Sequence, residues 1–150
     1  MTDLHPPRTR EEMDLTLFGD SHVRAYRETN GQQGYIWNDA PTLLLTTKGR
    51  TSGQPRTLPL IFVKDGEALA IVASKGGAPE HPDWYQNLVA EPRVQVQVKG
   101  DVFDAMARTA TAEERARLWP AAVKAWPQYA DYQKATSREI PIVMLERLHA

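Results

Sequence analysis

The sequence predicts a small antiparallel β-barrel of about six strands with helices around it, within the mainly β and α+β fold classes. Segments of strand-forming residues follow one another across turn signals, and no strand–helix unit repeats along the chain. Residues 94–99 alternate apolar and polar side chains, which is typical of a half-buried antiparallel strand. Asp65-Gly66 is typical of a hairpin turn. With 150 residues, the chain is long enough for one domain with one core.

The N-terminal region divides into a tail and a helix. Residues 1–11 contain a proline pair and mixed charges, which predicts a flexible tail before a single domain over residues 12–150. A helix is predicted over residues 12–30, because apolar and aromatic positions recur there at spacings of three and four. These positions are Leu15, Phe18, His22 and Tyr26. Asn30-Gly31 is a typical end of a helix.

Six later segments have the composition of β-strands. They are residues 43–47, 56–64, 67–74, 94–99, 102–109 and 141–148. The first segment is almost entirely apolar, which predicts a strand buried on both faces. Pro59 lies within the second segment and has no amide hydrogen to donate. It therefore predicts a sheet edge or a bulge at that point.

Two helical regions are predicted between the strands. A short helix has Pro82 at its first helical position and ends before Pro92. Residues 111–114, with the sequence TAEE, form a capping box that begins a second helix. Pro120 and Pro127 are predicted to break the following stretch into short helical pieces.

Composition narrows the range of functions. The formal net charge of -1 disfavours general nucleic-acid binding. The lack of cysteine excludes disulfides, thiolate nucleophiles and cysteine-bound metals, and the four scattered histidines predict no metal site. No apolar run reaches the length of a membrane span and the N-terminus lacks a signal-peptide core, so a cytoplasmic location is predicted. The N-terminal segment could cover a site, touch a membrane surface or be idle.

A basic, glycine-bearing loop joins the first two predicted strands. Gly49 and Gly53 bracket the residues Arg50, Thr51 and Ser52, and no acidic residue occurs between positions 39 and 65. Glycines let backbone amides approach a ligand, and arginine can grip phosphate or carboxylate oxygens. The loop is therefore either the site of an anionic group or an ordinary hairpin turn with solvated side chains.

A second glycine-rich loop, residues 74–77, lies at another strand end and carries Lys75. With Trp84 and Asn87 of the following helix, it suggests one extended anionic ligand whose phosphate binds the first loop. The ligand's ring would lie along residues 58–60. The nucleophile-elbow, Rossmann and NTPase phosphate-loop motifs are absent, which fits a cofactor that carries the chemistry itself.

The ordered set of motifs resembles the deazaflavin-dependent nitroreductase and quinone reductase family. The matching motifs include GRTSG at 49–53, ASKGG at 73–77, HPDWY at 81–85, LWP at 118–120 and IP at 140–141. The resemblance covers roughly residues 20–148. It implies a split β-barrel of the flavin-reductase type and the coenzyme F-420, an 8-hydroxy-5-deazaflavin.

The resemblance also implies site residues. The coenzyme's phosphate and acidic tail would contact Arg50, Thr51, Ser52 and Arg56. The backbone along its ring would be that of Thr57, Leu58, Pro59, Leu60 and Ile61. The remaining cleft residues would be Val72, Ala73, Ser74, Lys75, Asp83, Trp84, Tyr85, Gln86 and Asn87. The substrate pocket and candidate donors would be Ser74, Tyr129 and Tyr132, with Ile61 and Trp126 beside them.

Two positions depart from the family pattern. Thr51 stands where a lysine is common, which weakens one contact with the acidic tail. Ile61 stands where some members have tyrosine, which affects the substrate pocket.

The activity that the resemblance implies is hydride transfer from the reduced coenzyme to an electrophilic acceptor, namely a quinone, an enone or a nitroaromatic. An alternative is an oxidoreductase of the same fold that uses FMN, which ends at its phosphate. A third alternative is a non-catalytic protein that binds the coenzyme. The protein is expected to be a monomer or a homodimer.

Overall fold

A computed structural model describes residues 19–148 of the chain. The helices are α1 Asp20–Thr29, α2 Asp83–Ala90, α3 Ala112–Ala125 and α4 Gln128–Lys134. The strands are β1 Ile36–Trp37, β2 Ala40–Lys48, β3 Pro55–Asp65, β4 Ala68–Val72, β5 Arg93–Val98, β6 Asp101–Thr109 and β7 Ile142–Arg147. The predicted tail at residues 1–11 and the first part of the predicted helix, with Leu15 and Phe18, lie outside the described residues.

Six strands close into an antiparallel barrel because β2 pairs along both of its edges. The order around the barrel is β2-β3-β4-β7-β6-β5, and β5 pairs again with β2. The predicted six-stranded barrel is thereby confirmed. The two-residue strand β1, which adds to β2, was not among the predicted strands.

The core has two layers, one inside the barrel and one between the barrel and the C-terminal helices. Leu43, Leu45 and Phe62 belong to the inner layer. Met144 and Ile142 of β7 point to the other side and pack with residues of α3 and α4. The prediction that β2 is buried on both faces is confirmed by three consecutive buried leucines at positions 43–45.

The first half of β3 forms a free edge of the barrel. Its register with β2 is continuous from Ile61, opposite Thr42, to Pro55, opposite Lys48, so there is no bulge at Pro59. Pairing of β3 with β4 starts only at Phe62. The edge interpretation of Pro59 is therefore confirmed and the bulge interpretation is wrong. Among residues 19–148, the stretch 55–61 pairs with β2 alone, and α1 packs nearby.

Helix ends follow their local signals with two exceptions. Asn30 ends α1 in the left-handed conformation at φ 51, and Thr111 with Glu114 forms the predicted capping box of α3. Pro82 lies at the N-cap of α2, one position before the predicted one. Pro120 was wrongly predicted to break a helix, since it lies inside α3. Leu118 and Ala122 around it are buried in the outer core layer, and this packing holds α3 together.

Tyr26 ties α1 to one end of the barrel. Its side chain is fully buried, and its hydroxyl accepts the backbone N–H of Lys99 at 2.8 Å. The same hydroxyl donates to the carbonyl oxygen of Thr42 at 2.9 Å. Burial raises the pKa of Tyr26, so the phenol stays neutral and keeps its proton for this bond. One side chain thus links the helix to β2 and to the turn after β5.

We expect Tyr26→Phe to lower the free energy of unfolding by about 1–3 kcal/mol, because it leaves backbone groups of the barrel end unpaired. The matched control is Tyr35→Phe, since the Tyr35 hydroxyl has no hydrogen bond to another described residue. Urea unfolding of both variants measures the difference. Equal losses in the two variants would contradict this role of the Tyr26 hydroxyl.

Candidate active site

Two cavities adjoin beside the free edge of β3. The first has a volume of about 530 Å³ and is lined mainly by apolar and aromatic side chains. The second has a volume of about 550 Å³ and is lined by the basic loop and the start of α2. Leu58 and Trp84 line both cavities, so one cleft runs from an apolar end to a basic end.

Most residues that were predicted for the site line one of these cavities. In the apolar cavity they are Leu58, Pro59, Leu60, Ile61, Val72, Ser74, Lys75, Trp84, Trp126, Tyr129 and Tyr132. In the basic cavity they are Arg50, Thr51, Ser52, Arg56, Thr57, Leu58, Asp83, Trp84 and Asn87. The sets come from β3, α2, α4 and the loop after β4, which are distant in the chain.

Three predicted cofactor residues line neither cavity. Ala73 is fully buried in the barrel core. The Tyr85 hydroxyl shares a hydrogen bond of 2.7 Å with the Thr109 hydroxyl, away from the cleft. The side-chain amide of Gln86 donates to the carbonyl oxygen of His81 at 3.1 Å. These three residues support the elements of the cleft without forming its wall.

Sequence reasoning missed several lining residues, among them His22, Trp37, Thr42 and Gln128. The position of His22 on the buried face of α1 was a usable signal, because Tyr26 shares that face. Trp37 had no local signal. It reaches the cavity only because β1 pairs with β2.

Arg50 is held by α2. Its backbone N–H and its guanidinium both donate to the Asn87 side-chain oxygen, at 3.1 and 2.8 Å. The guanidinium also lies 3.3 Å from the Asp83 carboxylate, an exposed pair. The Asn87 amide group donates in turn to the Thr47 hydroxyl of β2. Arg50 is therefore already engaged, and its contacts set the position of the loop.

Arg56 is the cation of the basic cavity that remains available. It is exposed, and no hydrogen bond or ion pair joins its guanidinium to another residue in the described part of the chain. Within the same part, the backbone amides of Thr51 and Ser52 also have no hydrogen-bond partner. Successive free amides beside an arginine suit a phosphate group.

Position 49 of the basic loop has no room for a side chain, so it requires glycine. A Cβ there would come within 2.6 Å of the Ser52 hydroxyl oxygen, which accepts the N–H of Gln54 at 3.1 Å. Gly53 has a φ of +72°, a conformation that favours glycine. Its N–H donates to the Gly49 carbonyl and closes the turn.

An aromatic wall bounds the apolar cavity. The rings of Trp37 and Trp126 stack with centroids 5.6 Å apart, and His22 lies 6.0 Å from Trp37. Tyr129 and Tyr132 of α4 meet edge to face at 6.1 Å. Such a wall suits a planar, largely uncharged molecule.

The hydroxyl groups in this cavity differ in their availability. The Tyr132 hydroxyl donates to the Gln128 side-chain oxygen at 2.9 Å. The Tyr129 hydroxyl has no hydrogen-bond partner among the described residues, and burial raises the pKa of Tyr129 far above its usual value. Tyr129 is therefore a neutral donor and not a base. Ser74, largely buried, places a further hydroxyl in the same cavity.

The barrel carries a cleft whose apolar end continues into a basic loop, an arrangement that suits a phosphorylated, ring-bearing molecule. A sequence model described as "F420H(2)-dependent quinone reductase" matches residues 20–147. The chain belongs to that family. The resemblance noted from the motifs is thereby confirmed, and with it the enzyme class and coenzyme F-420 as the cofactor.

Individual relatives agree with the family. An "F420H(2)-dependent quinone reductase" of Mycobacterium tuberculosis is 43% identical over 130 residues, which is 84% of this chain and 87% of that protein. A solved "F420-H2 Dependent Reductase (FDR-A)" is 47% identical with a TM-score of 0.66, over 71% of this chain and 94% of that one. Another, described as a domain-swapped dimer, is 42% identical with a TM-score of 0.68, over 83% of this chain and 96% of that one.

Two further features bear on the other sequence expectations. Within residues 19–148, no three side chains of the His, Asp or Glu type come together as a metal site would require. Over that same range, no helix combines the length and the apolar character that a membrane crossing requires.

The buried histidine at the cavity makes stability depend on pH. His22 is 1% exposed and lies 2.8 Å from the Gly34 carbonyl oxygen, and burial lowers its pKa below the ordinary 6.5. Between the folded pKa and 6.5 the unfolded chain binds more protons than the folded one. The contribution of His22 to the free energy of unfolding is therefore fully present above about pH 6.5. It is lost as the pH falls from 6.5 towards the lowered pKa of the folded state.

We expect the free energy of unfolding to drop between about pH 7.5 and about pH 5.5, and to drop less in His22→Gln. His81, whose pKa is also lowered by burial, contributes in the same direction and remains in that variant. Denaturant unfolding at the two pH values gives the comparison. The same pH dependence in the variant and the wild type would rule out a contribution from His22.

Proposed function

We propose that this protein uses reduced coenzyme F-420 to reduce a quinone that binds in the apolar cavity. The observation that carries the proposal is the continuous cleft, whose basic and apolar ends meet at Leu58 and Trp84. A ligand with an anionic tail and a ring would use both ends at once. FMN would use the same phosphate site, but family membership favours the deazaflavin.

The basic end would hold the coenzyme's phosphate and tail. Arg56 and the free amides of Thr51 and Ser52 are the available donors, and Arg50 keeps the loop beside α2. With Thr51 in place of a lysine, Arg56 carries a larger share of the charge at this end.

The ring would lie against the free edge of β3, where residues 57–61 have no second strand partner. Unpaired backbone groups along this edge can bond to the polar edge of a ring. When bound, the reduced coenzyme supplies a hydride from C5. The chain's own contribution is to hold donor and acceptor in register and to keep water away from them.

The acceptor end favours an uncharged planar molecule. The described residues that line the apolar cavity include no carboxylate, and the Lys75 ammonium is paired with Glu80 at 3.1 Å. The stacked Trp37 and Trp126 present flat apolar surface. A quinone fits this lining, and enones and nitroaromatics are the related acceptors to compare with it.

Tyr129 would donate a hydrogen bond to the oxygen of the acceptor on which negative charge develops, and the proton that completes the reduction would come from water. Its hydroxyl is neutral and free of other described partners, whereas the Tyr132 proton is directed at Gln128. A donor aimed at the oxygen on which negative charge develops lowers the barrier. Ser74 is the second candidate for this role.

The activity is tested by titration with F-420 and with FMN, followed by a panel of quinones, enones and nitroaromatics. We expect binding of F-420 and its oxidation with quinones. Tight FMN binding without a response to F-420 would refute the coenzyme assignment. Coenzyme binding without turnover of any acceptor would favour a non-catalytic binding protein.

The assembly expected for this function is a homodimer rather than a monomer. One of the similar structures is described as a domain-swapped dimer, which supports this expectation. Light scattering on the purified protein over a range of concentrations measures the mass directly.

We expect Arg56→Ala to raise the dissociation constant for F-420 by about 10- to 150-fold, because a charge-assisted contact contributes about 1.5–3 kcal/mol. The matched control is Lys64→Ala, since Lys64 is on the same strand but lines neither cavity. Fluorescence titration of the coenzyme measures both. Small and equal changes would mean that the basic loop is only a turn.

We expect Tyr129→Phe to lower kcat with a quinone on the order of 100-fold, with little change in the dissociation constant for F-420. Tyr132→Phe removes the neighbouring hydroxyl and is expected to have a much smaller effect on kcat. Steady-state kinetics at saturating coenzyme separates the two. A larger loss in Tyr132→Phe would assign the donor role to Tyr132 instead.

A further inference from the structure

Arg138 binds the loop that carries Ser74 into the apolar cavity. It lies after α4, and its guanidinium donates to three backbone carbonyl oxygens of the loop region. These bonds go to Ala73 at 3.2 Å, Ser74 at 2.8 Å and Ala78 at 2.8 Å. A fourth contact joins the guanidinium to the His81 ring nitrogen Nδ1 at 3.1 Å. One half-buried side chain thus spans residues 73–81.

The backbone of this loop adopts an uncommon conformation, which the bonds from Arg138 help to stabilise. Lys75, Gly76 and Gly77 have successive positive φ values of 45°, 62° and 83°. A non-glycine residue in this region is strained, and Lys75 is one. Within the loop, a short 3₁₀ turn has the Gly77 N–H donating to the Ser74 carbonyl and the Ala78 N–H donating to the Lys75 carbonyl. The Lys75 ammonium also pairs with Glu80, an exposed contact.

The same loop packs directly on α4. A Cβ at Gly77 would lie 2.6 Å from the Tyr132 carbonyl oxygen, so the two backbones are in close contact. Tyr129 and Tyr132 of α4 line the cavity that Ser74 and Lys75 also line. Any shift of the loop therefore moves both sides of the acceptor cavity relative to each other.

Gln133 attaches the Arg138 segment to α4 and α3. Its side-chain amide donates to the Arg138 carbonyl at 2.8 Å. Its side-chain oxygen accepts from the Arg115 guanidinium at 3.0 Å and from the Ile140 N–H at 2.9 Å. The position of Arg138 is thus set by α3 and α4, and its hydrogen bonds fix the loop relative to these two helices.

We propose that Arg138 is a positioning residue that holds the Ser74 loop in register with α4, and thereby places the acceptor relative to the coenzyme. The inference rests on the proposed function for its catalytic consequence, but its structural content concerns this chain alone. Arg138 lines neither cavity, so its effect on the reaction is indirect. The basic loop is held separately by Arg50 and Asn87, so coenzyme anchoring is independent of it.

The experiment compares Arg138→Ala, Arg138→Lys and the control Arg117→Ala. Arg117 pairs with Asp65 at the opposite end of β3 and lines neither cavity. We expect Arg138→Ala to lower kcat with a quinone by about 10- to 100-fold, because small misplacements of reacting groups have effects of this size. The dissociation constant for F-420 should change less than about threefold, since the basic loop is untouched.

Rescue distinguishes positioning from a general loss of stability. Arg138→Lys keeps one cationic donor and should recover part of kcat. Ethylguanidinium at millimolar concentration should restore activity to Arg138→Ala and leave Arg117→Ala unchanged. Hydrogen exchange on the coenzyme-free proteins should show faster exchange at residues 74–78 in Arg138→Ala only.

The outcomes separate the two proposals. Wild-type protein that fails to bind F-420 would refute the proposed function, while hydrogen exchange would still decide the role of Arg138. Normal coenzyme use by the wild type, with unchanged kcat and exchange in Arg138→Ala, would refute the positioning role alone. Should Arg138→Ala fail to fold, a folded Arg138→Lys with lowered kcat and faster exchange at residues 74–78 would support the role, and one with wild-type kcat and exchange would overturn it. Equal losses in Arg138→Ala and Arg117→Ala would overturn it.

Discussion

The double pairing of β2 is the constraint from which the rest of the structure follows. Because β2 bonds to β3 on one edge and β5 on the other, the sheet closes and three successive leucines are buried on both faces. Closure also leaves the first half of β3 beyond the end of β4, with one edge unpaired. An unpaired strand edge inside a protein needs a partner or a cover. Here the cleft lies along that edge.

The two arginines of the cleft have different roles: one fixes the basic loop and the other is free to contact a ligand. Arg50 is engaged by Asn87 and Asp83 and fixes the loop against α2, whereas Arg56 is open to solvent. A preformed loop lowers the ordering cost of binding an anionic group. The apolar end is organised in a similar way, since the Tyr132 hydroxyl donates to Gln128 while the Tyr129 hydroxyl has no hydrogen-bond partner among the described residues.

Two side chains that do not line the cavities hold segments that are distant in the chain next to each other. The turn at residues 74–77 has short-range backbone bonds of its own, and Arg138 adds bonds to the carbonyl groups of Ala73 and Ser74. Tyr26 performs a comparable task at the end of the barrel, where it joins α1 to β2 and to Lys99. Both side chains satisfy backbone groups that no strand or helix pairs, which is a general requirement of buried irregular backbone.

Local signals in the chain determined most elements, because they depend on residues close in sequence. The alternation at 94–99, the Asp65-Gly66 turn and the capping box at Thr111 each act within a few residues, and each lies where it was predicted. The motif order identified the family and its coenzyme. The loops at Arg50 and Ser74, which the sequence predicts to belong to one site, line two adjoining cavities.

Tertiary structure decided what depends on contacts between distant residues. Pro120 stays within a helix because core packing around Leu118 outweighs its local preference, and Trp37 joins the site because β1 adds to β2. Ala73, Tyr85 and Gln86 are adjacent to cleft residues in sequence, but their side chains point to the core or to neighbouring elements. Which arginine anchors the basic loop and which stays free also follows from the position of α2. The identity of a residue does not by itself show which distant residues it contacts in the folded chain.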